Sequence, residues 1–409
     1  MKERAIKRIL FIEQNQDGTI GGSHYCLLYI TQLIDKARYK PLVMFYQENP
    51  LVQDFKNSGA EVHIYNKPRG KALFSGFKKY RPLYLILKLI EKSYNIMNKH
   101  VIPTFRFISF LKKEKVDIIH LNNSVEFGFE WIIASKMLGK PCLTFQRGYH
   151  ERLSILHKFL GNRFDGIYCV SEVIRRNLLE NGIDSKKCFT LYDGIDPEKL
   201  LKKIMRSPQL VRKEFQLSST DLVIGMIGNF VPWKGQAILV RAVGLLSQKY
   251  PNVKCMLIGS TGSENKYNEY LHEIMNIVEE HKLQDKIIIT GYRKDIADLL
   301  NTIDIQVHSP TSPDPFPHVI LEGMTLGKAI VASNIGGAIE SLEDGKSGFL
   351  VPPKNPAILA EAIAKLISDT ELRRVLGQNA IKRVQDKFHI KVNIDNIQNI
   401  YDKLSVNSG

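Results

Sequence analysis

The sequence predicts an α/β protein built as two doubly wound domains that face one another across a cleft. Three observations lead there. The chain has 409 residues, more than one ordinary core accommodates. Short β-type apolar runs alternate with helical stretches, the grammar of parallel sheets covered by helices on both faces. That alternation stops once near the middle of the chain and then starts again.

In the first half the β-type runs are Arg8 to Ile12, Leu42 to Tyr46, Glu61 to Tyr65, Asp117 to Leu121, Cys142 to Phe145, Gly166 to Val170 and Cys188 to Leu191. Helical patterns lie between them, among them Ser23 to Lys36, Glu130 to Leu138 and Glu172 to Asn181, the last with Ser171 placed to cap it. Pro197, Pro208 and a Ser-Ser-Thr-Asp turn interrupt the rhythm between Asp196 and Asp221. Strands resume at Leu222 to Ile227, Val253 to Ile258, Ile287 to Thr290, Ile305 to His308 and Ala329 to Ala332, and from Pro356 onward the pattern is helical. The expected domains are residues 1–200 and 201–389, with the last helix, 390–409, returning to the first.

Hydrophobic residues at 44% and charged residues at 24% describe a globular chain rather than a disordered or fibrous one. Lys and Arg number 57 against 42 Asp and Glu, a net +15 that favours anionic partners. The five cysteines show no metal-ligand or disulfide spacing, which suits a reducing cytoplasm. The apolar run Ile9 to Ile12 is too short for a signal peptide and reads as a first strand. No run approaches the ~18 apolar residues of a membrane span. No RNA- or DNA-binding module is recognisable, so nucleic acid is not an expected partner.

Ligands of open α/β sheets bind beyond the carboxyl ends of the strands, so the residues that follow each strand carry the chemistry. After the first strand, Asp17 to Ser23 form a turn with Gly21 and Gly22 feeding a helix, whose bare N–H groups suit a phosphate or sugar. The spacing of a dinucleotide fingerprint is absent. His120, Asn122, Asn123 and Ser124 close one strand, and Gln146, Arg147, Tyr149 and His150 follow the next. The former group reads as a sugar or acceptor site, with a core histidine as the alternative.

In the second half Ile227 to Gly235 is a strand running into a glycine loop, then a helix. Gly228 lets a backbone come close, Lys234 adds a mobile positive charge, and the helix start supplies N–H donors, which together suit a diphosphate. Further on, Ser309 to Met324 carries Asp314 and Glu322 across a helix start, with Phe316, Pro317, His318 and Val319 between them. Prolines stiffen the loop, and Glu322, more than a turn inside the helix, is placed to accept hydrogen bonds from a ribose diol.

At these residues the sequence resembles the retaining glycosyltransferases of family 4, whose signature is Glu, seven residues, then Glu. Asp314 and Glu322 stand on the two acids; Gly336-Gly337, Glu340 and Gly348 to Val351 continue the pattern, and Gly21-Gly22, His120, Ser171 and Tyr192 to Asp196 resemble landmarks of the first half. The resemblance covers nearly the whole chain. It implies the GT-B architecture of two Rossmann-like domains with the donor between them. It further implies that Lys234, Gly228, Asn229, Gly21 and Gly22 hold the donor diphosphate, and that Phe316 to Val319 and Glu322 line the nucleotide. Asp314, Lys234 and His120 would be catalytic, with Asn122, Arg147 and His150 on the acceptor side. Two departures stand out: Asn229 where the family usually has arginine, and Asp314 in place of Glu.

The reaction so implied keeps the anomeric configuration, with the departing phosphate accepting the acceptor's proton. No Asp-x-Asp or His/Cys ligand cluster calls for a metal, and the only co-substrate expected is a nucleotide-diphosphate sugar. The acceptor would be a glycan or a lipid-linked sugar in cell-surface polysaccharide or glycoconjugate synthesis. Two rival readings are a catalytically idle nucleotide-sugar-binding protein and an epimerase or phosphorylase on the same architecture.

The charge is unevenly spread. Between Lys67 and Lys115 stand thirteen Lys or Arg against Glu91 and Glu114. Leu83, Ile86, Leu87, Ile90, Tyr94 and Met97 recur there at helical spacing, flanked by Lys88, Lys92 and Lys99, while Phe74, Phe77, Tyr80, Phe105, Phe107 and Phe110 add aromatic bulk. The stretch predicts peripheral binding to an anionic inner membrane face. The competing expectation is that the stripe packs on the first sheet.

Overall fold

The computed structural model describes residues 6–15, 21–68, 70–74, 76, 79, 81–261 and 268–406. Asp17 to Ile20 of the first glycine turn, and Phe77, Lys78 and Tyr80 of the basic stretch, lie outside the described residues. The chain divides into two compact units, Met1–Tyr192 with Asn393–Gly409, and Asp193–Val392. Each is a parallel α/β domain.

The first unit contains strands β1 (Lys7–Glu13), β2 (Tyr39–Phe45), β3 (Glu61–Ile64), β4 (Ile118–Leu121), β5 (Cys142–Gln146), β6 (Gly166–Cys169) and β7 (Cys188–Thr190). They form one sheet in the order β3-β2-β1-β4-β5-β6-β7, every pair parallel. Parallel strands buried on both faces demand continuous apolar runs, and Ile9, Leu10, Phe11 and Ile12 of β1 are all fully buried. Helices Gly22–Leu33, Phe129–Leu138 and Glu172–Glu180 supply crossovers. The last is capped by Ser171, whose hydroxyl accepts from the Ile174 N–H.

The second unit contains β8 (Leu222–Ile227), β9 (Val253–Ile258), β10 (Ile287–Ile289), β11 (Ile305–His308), β12 (Ala329–Ser333) and β13 (Phe349–Val351), in the order β10-β9-β8-β11-β12-β13. Strand alternation sorts its core onto two faces. Ile224, Met226, Cys255 and Leu257 pack with helices Gln236–Ser247 and Pro356–Ser368, while Val223, Ile227, Met256 and Ile258 join Leu299 and Leu300 of helix Ile296–Thr302.

In both sheets the strand order reverses beside the first strand of the domain, between β1 and β4 and between β8 and β11. The connections there leave in opposite directions and open a crevice at the carboxyl ends of the strands. The candidate residues of each unit collect at these two switch points.

The helix Ile390–Val406 ends inside the first unit. Tyr401 is fully buried, edge-on to Phe11 and Tyr39, and its hydroxyl meets His120 Nδ1 at 2.6 Å. Asp402 accepts from the Tyr39 hydroxyl at 2.6 Å and pairs with Arg38 and Lys7. Among the described residues no helix is long and apolar enough to cross a membrane. Truncating a large buried aromatic costs about 3–5 kcal/mol. Tyr401→Ala therefore destabilises the protein by about that amount in urea denaturation, whereas Tyr401→Phe, which loses the hydroxyl contact alone, costs about 1–2 kcal/mol.

Candidate functional site

The second unit assembles its site from two loops that leave neighbouring strands. After β8, Gly228 takes φ +157 and its carbonyl approaches Gly259 so closely that a Cβ at Gly259 would lie 2.1 Å from it. The chain then turns through Pro232–Lys234 and starts helix Gln236–Ser247 at Gly235, φ +81, whose absent Cβ would lie 2.0 Å from the Ser309 carbonyl oxygen. The Ser309 hydroxyl donates to the Gly235 carbonyl at 3.1 Å and the Thr311 N–H to the Trp233 carbonyl at 2.7 Å, so the loop after β11 is stitched to the loop after β8.

This stitching brings two side chains together. Lys234 Nζ lies 2.6 Å from Asp314 Oδ2 and over the Trp233 ring, 4.3 Å from its centre. His308, fully buried at the end of β11, places Nε2 3.3 Å from the same carboxylate oxygen. Burial alone would raise the Asp314 pKa. Contacts from His308 and Lys234 outweigh it and bring the group from 3.8 to about 2. Burial also lowers the His308 pKa, so near pH 7 the imidazole is neutral and Lys234 carries the countercharge. Behind Asp314, its carbonyl accepts from the Gly337 N–H at 2.8 Å.

Helix His318–Thr325 starts at Pro317, and Glu322 lies on its second turn. Burial pushes the Glu322 pKa up, against the opposing pull of His318 and Lys203. Among the described residues its carboxylate accepts no hydrogen bond and forms no ion pair. His318 Nε2 lies 3.3 Å from Asp193 Oδ2. The Phe316 and Val319 side chains turn inward: Phe316 packs against Phe388, and Val319 joins the cluster of Val223 and Ile227 while its carbonyl accepts from Gln306 at 2.7 Å. Asn229 is exposed, and its carbonyl accepts from Gln236 Nε2 at 2.9 Å and from the Val231 N–H at 3.0 Å.

The first unit gathers a polar cluster where β1 and β4 end. Glu13, almost fully buried, accepts from Asn122 Nδ2 at 2.7 Å and from Asn123. Asn122 also donates to the Ser23 carbonyl at 3.0 Å, and Arg147 Nε donates to the Asn122 carbonyl at 3.1 Å. Among the described residues Gln14, 7% exposed, has no hydrogen-bond partner for either amide atom, and Asn122 Oδ1 has none. Such orphaned buried groups are rare and mark places where a polar ligand or water completes the set. Gly21 precedes helix Gly22–Leu33, and a Cβ at Gly21 or Gly22 would meet nothing within 4 Å. His150 shares a contact of 2.7 Å between its Nε2 and Gln146 Nε2, and its Nδ1 lies 3.4 Å from Glu126.

The structure corrects the assignment of His120 as catalytic. It lies inside β4 with no exposed surface, between Phe11 and Phe145, hydrogen-bonded to Tyr401. Burial, then the charge of Arg147, lowers its pKa well below the usual imidazole value. It is a core histidine, and the polar positions of this segment begin with Asn122. Glu61, His63 and Glu114 bring three ligand-type atoms within 4.8 Å of one another, but Arg8 already pairs both carboxylates at 2.9 and 3.0 Å.

Two parallel doubly wound domains, one with a glycine loop and lysine facing an acidic loop, define a glycosyltransferase of the GT-B class. Residues 209–383 match the family Glycosyl transferases group 1, and residues 51–199 match Glycosyltransferase Family 4. The chain belongs to this family, group 1 glycosyltransferases of family 4. It is 27% identical over 243 residues, 58% of its length, to a capsular polysaccharide biosynthesis glycosyltransferase, CapM, of Staphylococcus aureus, of which the match spans 61%. It is 23% identical to a UDP-Gal:alpha-D-GlcNAc-diphosphoundecaprenol alpha-1,3-galactosyltransferase of Escherichia coli over 73% of this chain and 78% of that one. The crystal structure of Anabaena Alr3699/HepE in complex with UDP shares the fold, with TM-score 0.76 and 23% identity over 97% of this chain and all of that one.

The Asp314 ionisation has a signed consequence for stability. A carboxyl whose folded pKa lies below its unfolded value stabilises above the unfolded value, and that contribution disappears as the pH falls through the folded one. Asp314→Asn therefore lowers stability at pH 7 by about 2–3 kcal/mol in chemical denaturation, and the gap to wild type closes as pH falls from about 5 toward 2. A gap that does not change with pH would mean that the pair with Lys234 does not stabilise the charge.

Proposed function

We propose that this glycosyltransferase moves a sugar, with retention of anomeric configuration, from a nucleotide-diphosphate donor to a glycan or lipid-linked acceptor. Its place would be cell-surface polysaccharide or glycoconjugate synthesis at the inner face of the membrane. The observation that carries the donor reading is the pairing of Lys234 with Asp314 at the switch point beside Gly228 and Gly235. An ammonium held there, beside a helix N-terminus, is a preorganised cation for a leaving diphosphate. The carboxylate of Glu322, without a hydrogen-bond or ion-pair partner among the described residues, has its acceptor capacity free for ribose hydroxyls. The relatives' names support the substrate classes, a capsular polysaccharide for one and a diphosphoundecaprenol-linked sugar for the other.

In this mechanism the departing diphosphate takes the proton of the acceptor hydroxyl on the face it leaves. Lys234 and the N–H groups at the start of helix Gln236–Ser247 stabilise the negative charge that develops on it. Asp314 orients Lys234 and, when the ammonium turns to phosphate, is left to accept from hydroxyls of the transferred sugar. Gln14, Asn122 and Glu13 of the first unit form the polar set for the acceptor.

Removing one preorganised donor to a developing anion costs about 10²–10³ in kcat. Lys234→Ala therefore loses at least about a hundredfold in transfer from a labelled nucleotide sugar and unfolds at a lower temperature at pH 7, because Asp314 is left buried without its countercharge, whereas Glu322→Ala, which removes an acceptor for the donor's ribose, weakens transfer while unfolding at nearly the wild-type temperature. Wild-type turnover in a folded Lys234→Ala protein would end the donor assignment, and an absence of transfer or hydrolysis by wild type across a donor panel would favour the idle-binder reading. Asn229→Arg adds a second cation at an exposed loop position. It should tighten or leave unchanged the thermal shift produced by nucleotide diphosphates; loss of that shift would assign Asn229 a specific role.

A further inference from the structure

We infer that the helix Arg81–Ile96 of the first unit is an in-plane membrane anchor whose apolar face lies among the lipids of an anionic leaflet. The inference deepens the membrane side of the proposed function and does not depend on the donor assignment.

The helix contains no buried residue. Its polarity is the reverse of what a helix on a globular surface shows, where the apolar stripe faces the core. Here polar side chains, beside the half-buried Tyr84 and Leu87, supply the hydrogen bonds to the preceding segment: Glu91 accepts from the Leu73 and Phe74 N–H groups at 2.6 and 3.1 Å, and Asn95 exchanges hydrogen bonds of 3.0 Å with the backbone of Lys71. The apolar side chains are turned to solvent, Leu85 and Ile86 at 59%, Leu89 at 65% and Ile90 at 53% exposure. At 100° per residue, Leu83, Ile86, Ile90, Tyr94 and Met97 form one line and Leu85, Leu89 and Ile96 the line beside it, a single broad apolar face. Lys88, Lys92 and Lys99 run along its margin. Between Leu85, Leu89, Ile96 and these lysines the surface holds a concavity of about 530 Å3.

The arm is fixed at its far end. A π-helical turn, Met97–Val101, joins it to helix Ile102–Lys113, and there His100 Nδ1 lies 2.8 Å from Glu130, a carboxylate buried in helix Phe129–Leu138 that also takes Lys67 Nζ at 2.9 Å. Sixteen residues span about 24 Å, long enough to lie in a leaflet, and no described helix is long and apolar enough to cross it.

Charge decides the occupant. Residues 67–115 carry thirteen Lys or Arg against two Glu, so a second copy of this chain would bring two such positive stretches together. An anionic leaflet neutralises them while covering the apolar face, and lysines at the margin of that face sit at the depth of the headgroups.

The test uses the full chain with vesicles of phosphatidylcholine alone or with 30% phosphatidylglycerol, pelleted and assayed for bound protein. Binding is expected to the anionic vesicles only. With about a fivefold contribution per lysine near such a surface, Lys88→Glu, Lys92→Glu and Lys99→Glu combined should weaken it about a hundredfold or more. Leu85→Ser, Leu89→Ser and Ile90→Ser combined should weaken it as well; unchanged binding in this variant would mean adhesion by charge alone and overturn the anchor. Equal binding of wild type to both vesicle types, binding to neither, or a concentration-dependent dimer abolished by the serine variant would overturn it too. Both variants should keep wild-type transfer to a water-soluble acceptor. Lost transfer by wild type with vesicle binding intact would strike the proposed reaction and leave the anchor standing.

Discussion

The geometry of the second unit depends on a carboxylate buried at the point where its sheet reverses direction. Asp314 cannot remain charged in that position without a countercharge, and the Lys234 ammonium at 2.6 Å supplies one. The lysine reaches it only because two loops run in backbone contact, and they do so only because Gly235 has no side chain to strike the Ser309 carbonyl. Gly336 meets the same restriction behind Asp314, where a Cβ would lie 2.3 Å from its carbonyl oxygen. Glycines at strand ends, a stiff proline loop and one ion pair are thus parts of a single packing solution. A change in any of them would be felt first at the Lys234 ammonium.

The first unit solves a similar problem with different chemistry. Glu13 is also a buried carboxylate at a switch point, but its neighbours are the amides of Asn122 and Asn123 rather than a cation. Amides bring their own further acceptors and donors, and among the described residues Gln14 Oε1 and Nε2 and Asn122 Oδ1 have no hydrogen-bond partner there. A cation-lined site favours an anion such as a diphosphate, and an amide-lined one favours the hydroxyls of a neutral sugar. The proposed division into a donor side and an acceptor side would use this difference.

The fold class was legible in the sequence because parallel strands buried on both faces must be apolar throughout, and such runs stand out against helical periodicity. The glycine loop with Lys234, and Asp314 eight residues before Glu322, were legible for a related reason: strand ends in this architecture are where ligands bind. What failed was telling apart two polar residues two positions from one another. His120 and Asn122 both look like polar groups at the end of a strand, yet only the structure reveals that the His120 side chain points into the core, against Phe11, Phe145 and Tyr401, the last of these 281 positions away in the chain. Glu13, Gln14 and His308 were passed over because each directly ends or follows an apolar run and reads as its edge. Their strand-end position was a usable signal; their burial was not, since it is set by neighbouring strands. Phe316 and Val319 stand in the acidic motif, but one serves the aromatic packing of Phe388 and the other the core below the sheet.

The amphipathic helix shows where sequence periodicity is silent in principle. Apolar residues at helical spacing state that a helix has two unlike faces and not which one turns inward, and both packing on the sheet and lying on a bilayer were open on that ground. The hydrogen bonds of Glu91 and Asn95 exclude packing of the Leu85, Leu89 and Ile90 side on the sheet, because they turn the opposite side of the helix to the protein and leave those three residues outward. An apolar face of that breadth in water carries a cost proportional to its area, about 25 cal/mol per Å2, which a bilayer interface removes. On the proposed reading the basic margin would select an anionic bilayer, since each lysine would gain from a negative surface potential that falls away within about 10 Å at physiological salt. On the proposed reading, a transferase anchored by such a helix would meet a lipid-linked acceptor in two dimensions, while a diphosphate donor would still arrive from solution at a site where Lys234 is already held by Asp314.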